Sequence, residues 1–275
     1  MKPAPFDFVL AENVEQALAV LAQEGDAARV LAGGQSLVPM LNMRLARPGV
    51  VVDISRVADF HAIHASGGAI TVPAMARQAD LLAYPHLADS HPLLAQALPW
   101  VGHPQTRAQG TVCGSLAHAD PSAELPLMLT ALDGTVMLRS RRGRRELPAA
   151  DFFQGLMTTD CAADEMIEQV RFPARRPGAG YAFREFSRRD GDFAIVACAA
   201  VATADGIELT LGGVGDRPHR RVWDRLTGSA LDDALNEFAW QSGARDDQHA
   251  SARLRRDLVR SLGRQTIEEA LACAG

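Results

Sequence analysis

The spacing of apolar residues changes several times along the chain, and each change marks a new element. Residues 6–10 (FDFVL) alternate as a half-buried strand does. Asn13-Val14-Glu15-Gln16 then has the form of a capping box, with Asn13 closing the helix start and Gln16 reaching back. Val14, Ala17, Leu18 and Leu21 follow at helical spacing, and Gly25 suits the stop. Strand-like runs at 29–31 and 50–54 complete a small β-α-β unit that ends near Arg56. A second region opens with a hairpin pattern over 63–72, broken at Gly67-Gly68. Helical spacing is found over about 77–82, 93–101 and 122–132, with a glycine-containing segment at 110–116 and strands at 136–138 and 166–172. Residues 173–180 mix Pro, Arg and Gly as a linker does. Strand patterns at 181–186, 193–201 and 207–212 lead into a mostly helical end over 230–274. The pattern divides the chain into three lobes, 1–56, 57–175 and 176–275, without a solenoid repeat or a low-complexity tract.

Composition narrows what these lobes can do. With 47% hydrophobic and 22% charged residues in 275, a sizeable core is expected rather than disorder. A net charge of -5 argues against broad nucleic-acid binding, which favours a basic stripe. Basic residues do cluster between Arg139 and Arg145, and their alternation with apolar neighbours reads as the solvated face of a hairpin. Met1-Lys2-Pro3-Ala4-Pro5 has no signal-peptide core, and no apolar run approaches the roughly 20 residues that span a bilayer, so a cytoplasmic protein is expected. Cys113, Cys161, Cys198 and Cys273 are scattered without a CxxC spacing. Iron–sulfur clusters draw on locally grouped thiolates, so none is expected on this chain. Cys198, inside the apolar run 194–201, reads as a small core residue.

Two glycine-containing segments carry the candidate chemistry. In Leu31-Ala32-Gly33-Gly34-Gln35-Ser36-Leu37, consecutive glycines let backbone N–H groups approach a ligand with no Cβ in the way, and Ser36 adds a hydroxyl. A plain tight turn between strand and helix is an equally good reading of that segment alone. Gly110-Thr111-Val112-Cys113-Gly114-Ser115-Leu116 again offers glycines, hydroxyls and amides, as if to grip the other side of a diphosphate. Neither has the GxGxxG or P-loop spacing, which disfavours a Rossmann fold and a nucleotide triphosphatase. Asp120-Pro121 reads as a helix N-cap with proline at the first position, and its carboxylate could also accept a sugar hydroxyl. His61 and His64 share a helical spacing but lack a third ligand, and no GxSxG elbow presents a nucleophile. His118 could hydrogen-bond near a ligand, whereas His103 reads as a loop brace. Gly212-Gly213-Val214-Gly215 reads as a turn away from any phosphate.

Six stretches in order then resemble one family. They are Ala32–Leu37, Gly102–Arg107 (GHPQTR), 110–126 (GTVCGSLAHADPSAELP), 151–155 (DFFQG), 186–193 (FSRRDGDF) and 249–256 (HASARLRR). Together they resemble the medium, FAD-binding subunit of the molybdenum hydroxylases, the family of carbon monoxide dehydrogenase and xanthine dehydrogenase. The resemblance implies an α+β fold: a two-lobed FAD-binding domain of the vanillyl-alcohol-oxidase/PCMH type, then a C-terminal α+β domain with a small antiparallel sheet. It implies non-covalent FAD held by Val30, Leu31, Ala32, Gly33, Gly34, Gln35, Ser36 and Leu37 of the first segment, and by Thr111, Cys113, Gly114 and Ser115 of the second. It further implies roles for Asp120 at the sugar chain, Ile167 in the lining, Arg184 near the isoalloxazine, and Phe193 against the ring, where core packing is nearly as good a reading. No catalytic side chain and no metal ligand are implied on this chain.

The implied partners are a large molybdenum-cofactor subunit carrying molybdopterin and a small 2Fe-2S subunit, assembled as a dimer of heterotrimers. Electrons would arrive from the 2Fe-2S subunit and leave to an external acceptor, while the large subunit selects the substrate. Two departures from the family pattern stand out. Cys113 precedes Gly114 where relatives have paired glycines, which requires a negative φ at Cys113 or a different grip on FAD and raises the question of a covalent thiol link. Leu254 stands where tyrosine is usual. Two rival readings are a free-standing FAD-dependent oxidase or dehydrogenase, marked by turnover of the chain alone, and a non-catalytic nucleotide-binding assembly protein, marked by a colourless preparation.

Overall fold

The computed structural model describes residues 2–275. The first lobe holds β1 (Asp7–Leu10), α1 (Val14–Glu24), β2 (Ala28–Leu31), α2 (Leu37–Asn42) and β3 (Val50–Asp53). Its three strands are parallel in the order β1-β3-β2. The capping box forms one residue out of step with the expected one. Asn13 accepts from the Gln16 N–H at 2.9 Å, while Gln16 Oε1 takes the N–H of Glu12 at 2.8 Å. Val14, Ala17, Leu18 and Leu21 are buried, and α1 ends at Gly25, whose φ is +51°. This core also takes in Ala74, Met75 and Met166 from beyond Arg56, so the first lobe is packed onto the next rather than hung from it.

Next come β4 (His64–Ser66), β5 (Ala69–Pro73), α3 (Gln78–Leu82), α4 (Leu87–Ser90), α5 (Pro92–Ala97), α6 (Pro104–Gln109), α7 (Val112–His118) and α8 (Glu124–Ala131). They are followed by β6 (Thr135–Ser140), β7 (Gly143–Pro148), α9 (Ala149–Phe152), β8 (Phe153–Gly155), β9 (Thr158–Thr159) and β10 (Met166–Pro173). Five of these strands form an antiparallel sheet in the order β4-β5-β10-β6-β7. Helix α8 is apolar on all sides and every residue in it is buried, as expected of a helix enclosed between layers. The arginine cluster is a hairpin face, as its pattern suggested. Arg139 and Arg144 meet Glu168, Arg142 meets Asp164, and Arg145 meets Asp160 and Glu165.

The third lobe is a meander, β11 (Gly180–Phe186), β12 (Val196–Ala202), β13 (Gly206–Gly212) and β14 (His219–Asp224), backed by α10 (Gly228–Gln241) and α11 (Ala252–Cys273). The period-two alternation of β12 splits its residues between two cores. Ala197, Ala199 and Val201 face the second lobe, whereas Val196, Cys198, Ala200 and Ala202 face the terminal helices. Covered on both faces, β12 can be apolar throughout (VACAAVA). Strand β14 escaped the sequence pattern because HRRVWD is mostly polar, as suits a sheet edge.

Arg255 of α11 ties this lobe to the loop before β12. Only 3% exposed, it donates to the carbonyls of Ile195 (2.6 Å) and Gly213 and pairs with Asp247 at 2.5 Å. Charge-assisted bonds of this kind are stronger than neutral ones, and removing the donor strands two carbonyls. Arg255→Ala is therefore expected to lower unfolding free energy by about 3 kcal/mol, read as a lower urea midpoint at unchanged slope.

Candidate functional site

Gly33 lies flush against the second glycine segment. A Cβ at residue 33 would sit 2.3 Å from the Gln109 carbonyl oxygen and 2.9 Å from both Gly110 Cα and Thr111 N. The first-lobe turn thus meets the second lobe backbone to backbone. Gly34 follows with φ +73°, a conformation that favours glycine. Among the described residues, no acceptor within the chain faces the N–H of Gly33, Gly34, Gln35 or Ser36. The junction opens into a cleft of about 700 Å³, within the size range of small-molecule and cofactor sites. Another hollow, about 850 Å³, lies between α1 and the arginine hairpin. Most of its guanidinium groups are already paired with carboxylates, and it contains none of the glycine segments.

The cleft brings together most residues singled out from the sequence. Val30, Ala32, Gly33, Gly34, Gln35, Ser36 and Leu37 line one wall; Thr111, Cys113, Gly114, Ser115 and Asp120 line the other, joined by Ile167 and Phe193. Phe193 is 61% exposed, so it stands at the mouth and not in the core. Leu31 sits behind the turn, its Cδ1 3.6 Å from where a Cβ on Gly34 would fall.

Several expectations need correction. The second glycine segment is not a loop beyond Thr111: Thr111 caps α7, its hydroxyl accepting the Gly114 N–H at 3.0 Å. Cys113 is therefore helical with a negative φ, which removes the conflict with paired glycines. Its thiol points into the core toward the Val72 carbonyl (3.5 Å), and burial pushes it far above the usual thiol range. Asp120 does not cap α8, whose N-cap is Ala123; it closes a turn by accepting the Ser122 N–H at 2.9 Å. Gly213 lies outside the cleft lining, as a turn away from the ligand would, but its N–H donates to the Pro121 carbonyl at 2.7 Å and so braces the Asp120 turn.

Arg184 lies outside the cleft lining. On β11 it shares a face with Ala182, toward the terminal helices, and pairs with Glu269 of α11 at 2.9 Å. The neighbouring side chain that turns toward the second lobe is Glu185.

The sequence reading gave no role to Glu124, Glu185, Gln78, Gly191 or Met157. Glu124 is 3% exposed and lines the cleft; burial and the nearby Asp120 charge push it up to about 7, against its own N–H and Arg107. Glu185 is pushed up to about 8 by burial and by Glu124. Gln78 lines the cleft with a buried Oε1 that has no partner. Gly191 allows the loop before β12 to rest on the His103 ring, where a Cβ would come within 2.4 Å. Met157, at φ +50° on the β8–β9 hairpin, overhangs the opening. Glu124 and Gly191 fell inside the family-like stretches, yet nothing in the spacing gave them a task.

Comparison with known proteins decides the family. Residues 4–175 match the model of the FAD binding domain in molybdopterin dehydrogenase, and residues 181–270 match that of the CO dehydrogenase flavoprotein C-terminal domain. This is an FAD-binding medium subunit of the molybdenum hydroxylase family. Its relatives include the 6-hydroxypseudooxynicotine dehydrogenase complex subunit alpha of Paenarthrobacter nicotinovorans, 38% identical over 98% of this chain and 96% of that one. The nicotine 6-hydroxylase medium subunit of the same organism is also 38% identical, over 98% of this chain and 99% of that one. Among solved structures, carbon monoxide dehydrogenase from Hydrogenophaga pseudoflava superposes with a TM-score of 0.94 at 29% identity, covering 100% of both chains. No described helix of this medium subunit is long and apolar enough to cross a membrane.

The cleft suits the cofactor of the medium subunits on its own terms. Unclaimed backbone N–H groups at Gly33–Ser36 answer a pyrophosphate, Asp120 and Gln78 offer acceptors to sugar hydroxyls or amino groups, and Phe193 supplies an aromatic surface. Since no backbone atom at residues 109–111 can yield to a methyl group at 33, Gly33→Ala is expected to lower stability by about 1–3 kcal/mol. The same change should weaken FAD binding by about tenfold or more, measured by flavin fluorescence titration.

Glu185 generates a pH prediction. Its folded value, about 8, lies above the usual 4.5, so the folded chain binds more protons than the unfolded one between these limits. Stability contributed by the neutral carboxyl is then present at low pH and lost as pH rises from about 4.5 to about 8. Thermal melts of Glu185→Gln against the native chain should show a Tm advantage for the variant that is absent near the lower limit and greatest above the upper one.

Proposed function

We propose that this chain is the FAD-binding electron-transfer subunit of a heterotrimeric molybdenum hydroxylase. It takes electrons from a 2Fe-2S subunit, passes them to an external acceptor, and is joined by a large subunit with the molybdenum cofactor, the whole forming a dimer of heterotrimers in the cytoplasm. The observation that carries this reading is the backbone contact of Gly33 with residues 109–111, which joins two lobes around one cleft lined by unclaimed amides. Full-length similarity to subunits named for such complexes supports it.

When bound, FAD supplies the chemistry that a protein side chain cannot, accepting electrons one or two at a time. The chain's own residues bind, orient and shield. Amides of Gly33, Gly34, Gln35 and Ser36 would hold the pyrophosphate from one side, and the Ser115 hydroxyl with the Cys113 amide from the other. Thr111 fixes the start of α7 through its bond to Gly114. Asp120, with its second carboxylate oxygen free of the Ser122 bond, would take a hydroxyl of the sugar chain. Ile167 would pack from below and Phe193 cover the mouth, excluding water from one face. Arg184, paired with Glu269 across the β11–α11 contact, lies outside the cleft lining.

The purified chain is expected to carry a flavin absorption spectrum that passes entirely to the supernatant on acid precipitation as FAD. Cys113→Ser should retain this behaviour, because the thiol faces Val72. Size-exclusion with a 2Fe-2S and a molybdenum subunit from the same complex should give one co-eluting species. A chain that takes up no FAD on reconstitution overturns the binding reading; turnover by the chain alone favours a free-standing flavoenzyme.

A further inference from the structure

One polar side chain in the cleft wall has no partner within the chain. Gln78 opens α3 and is only 5% exposed, yet it lines the cleft. Its Oε1 is sealed from solvent and receives no hydrogen bond. A buried amide oxygen left unmatched is costly, and such atoms are rare unless a ligand, a water or an ion serves them. Among the described residues, Glu185 and Arg255 also carry such an atom, and neither lines the cleft.

The backbone holds Gln78 in place. The Ala76 carbonyl accepts the Val112 N–H at 3.1 Å, and Gln78 donates its own N–H to the Gly110 carbonyl at 2.9 Å. Residues 76–78 thus run antiparallel beside 110–112, bridged at Arg77 and Thr111. The side chain folds back over the same glycine. A Cβ on Gly110 would fall 3.0 Å from Gln78 Oε1 and 2.9 Å from the Thr106 carbonyl oxygen. Gly110 Cα in turn lies 2.9 Å from where a Cβ on Gly33 would be, so Gly110 is a neighbour of both the Gly33 turn and the Gln78 amide. Its φ of -61° suits any residue, and crowding by Gln78 and Thr106, not backbone strain, accounts for the glycine.

An amide oxygen needs a donor, whereas an ionised diphosphate offers acceptors alone. The group that answers Gln78 is therefore a donor attached close to the diphosphate, which in FAD is a sugar hydroxyl. We propose that Gln78 is a ligand-binding residue whose Oε1 accepts a hydroxyl of the sugar next to the FAD diphosphate. This rests on the FAD reading given above. A half-turn of the amide about its last side-chain bond turns Oε1 to the cleft. The NH2 group then takes the place beside the Thr106 carbonyl, which has a lone pair left after accepting the Gly110 N–H. Without flavin the amide is a cost to the fold, and with flavin it becomes a contact. Gln78 thus favours the loaded chain over the flavin-free one, and an apolar residue of similar size should do the reverse.

The test compares FAD affinity and melting temperature in the full chain stripped of flavin, native and Gln78→Met. The variant should bind FAD about tenfold more weakly in a fluorescence titration. Its flavin-free Tm should stay level or rise by about 2–4 °C. A merely structural amide would lower both together, so an unchanged Kd overturns the proposal, as does a fall in the flavin-free Tm. FMN and ADP, used as competitors of FAD, separate the two sugars, since the ribityl hydroxyls belong to the first and the ribose hydroxyls to the second. The variant should lose affinity for one fragment and keep it for the other; equal loss for both overturns the hydroxyl contact. Should Gln78→Met not fold, Gln78→Asn, whose amide is withdrawn by one methylene, carries the same expectation for Kd and for the fragments. A native chain that takes up no FAD sinks the FAD reading itself. Uptake by the native chain beside an indifferent variant sinks the Gln78 contact alone.

Discussion

The structure depends on a contact made without any side chain. Gly33 brings the first-lobe turn within van der Waals reach of the backbone at Gln109, Gly110 and Thr111. The two polar segments could otherwise belong to separate, merely adjacent lobes. Their union fixes the spacing of the cleft walls, orients the amides of Gly34–Ser36, and sets α7 opposite them. The shared apolar core of Val14, Leu18, Ile54, Met75 and Met166 then makes the spacing rigid. Backbone contact determines the width, and side-chain burial holds it.

The cleft has an acidic lining. Asp26, Asp120, Glu124, Glu165 and Asp192 outnumber Arg29 along its walls. An anion in such a place would have to be held by dipoles, such as those of the unclaimed amides in the Gly33–Ser36 turn. Amide dipoles have the advantage of being fixed by the fold: they neither titrate nor move with a flexible stem. The carboxylates, in turn, can serve hydroxyl groups or protons, as the different environments of Asp120 and Glu124 illustrate.

Much of this was legible in the chain because local rules and long-range packing agreed. The Asn13 cap, the 63–72 hairpin and the helical spacing of α1 were all read in place, and so were the glycine segments, because close backbone approach leaves no substitute for glycine at Gly33. What remained hidden was set by partners distant in sequence. A strand pattern cannot say which face meets a neighbouring lobe and which a helix, so the pairing of Arg184 with Glu269 went unread and Glu185 was passed over. Thr111's capping of α7 was obscured by Gly114, a poor helix former that looks like loop. Strand β14 was invisible because its edge position needs no apolar face.

Helix α8 has a wider consequence. Buried on every side, it shares an apolar core with Val136, Leu138, Val170 and Phe172 of the five-stranded sheet and also touches β12 and β13 of the third lobe. A helix with no solvent face belongs to neither neighbour alone, so the cofactor lobe and the C-terminal meander should melt as one cooperative unit and not in succession. Its first turn carries Glu124 into the cleft. Any force applied to the outer meander, as by a bound protein, is therefore delivered through a stiff, fully packed rod to the ligand's side.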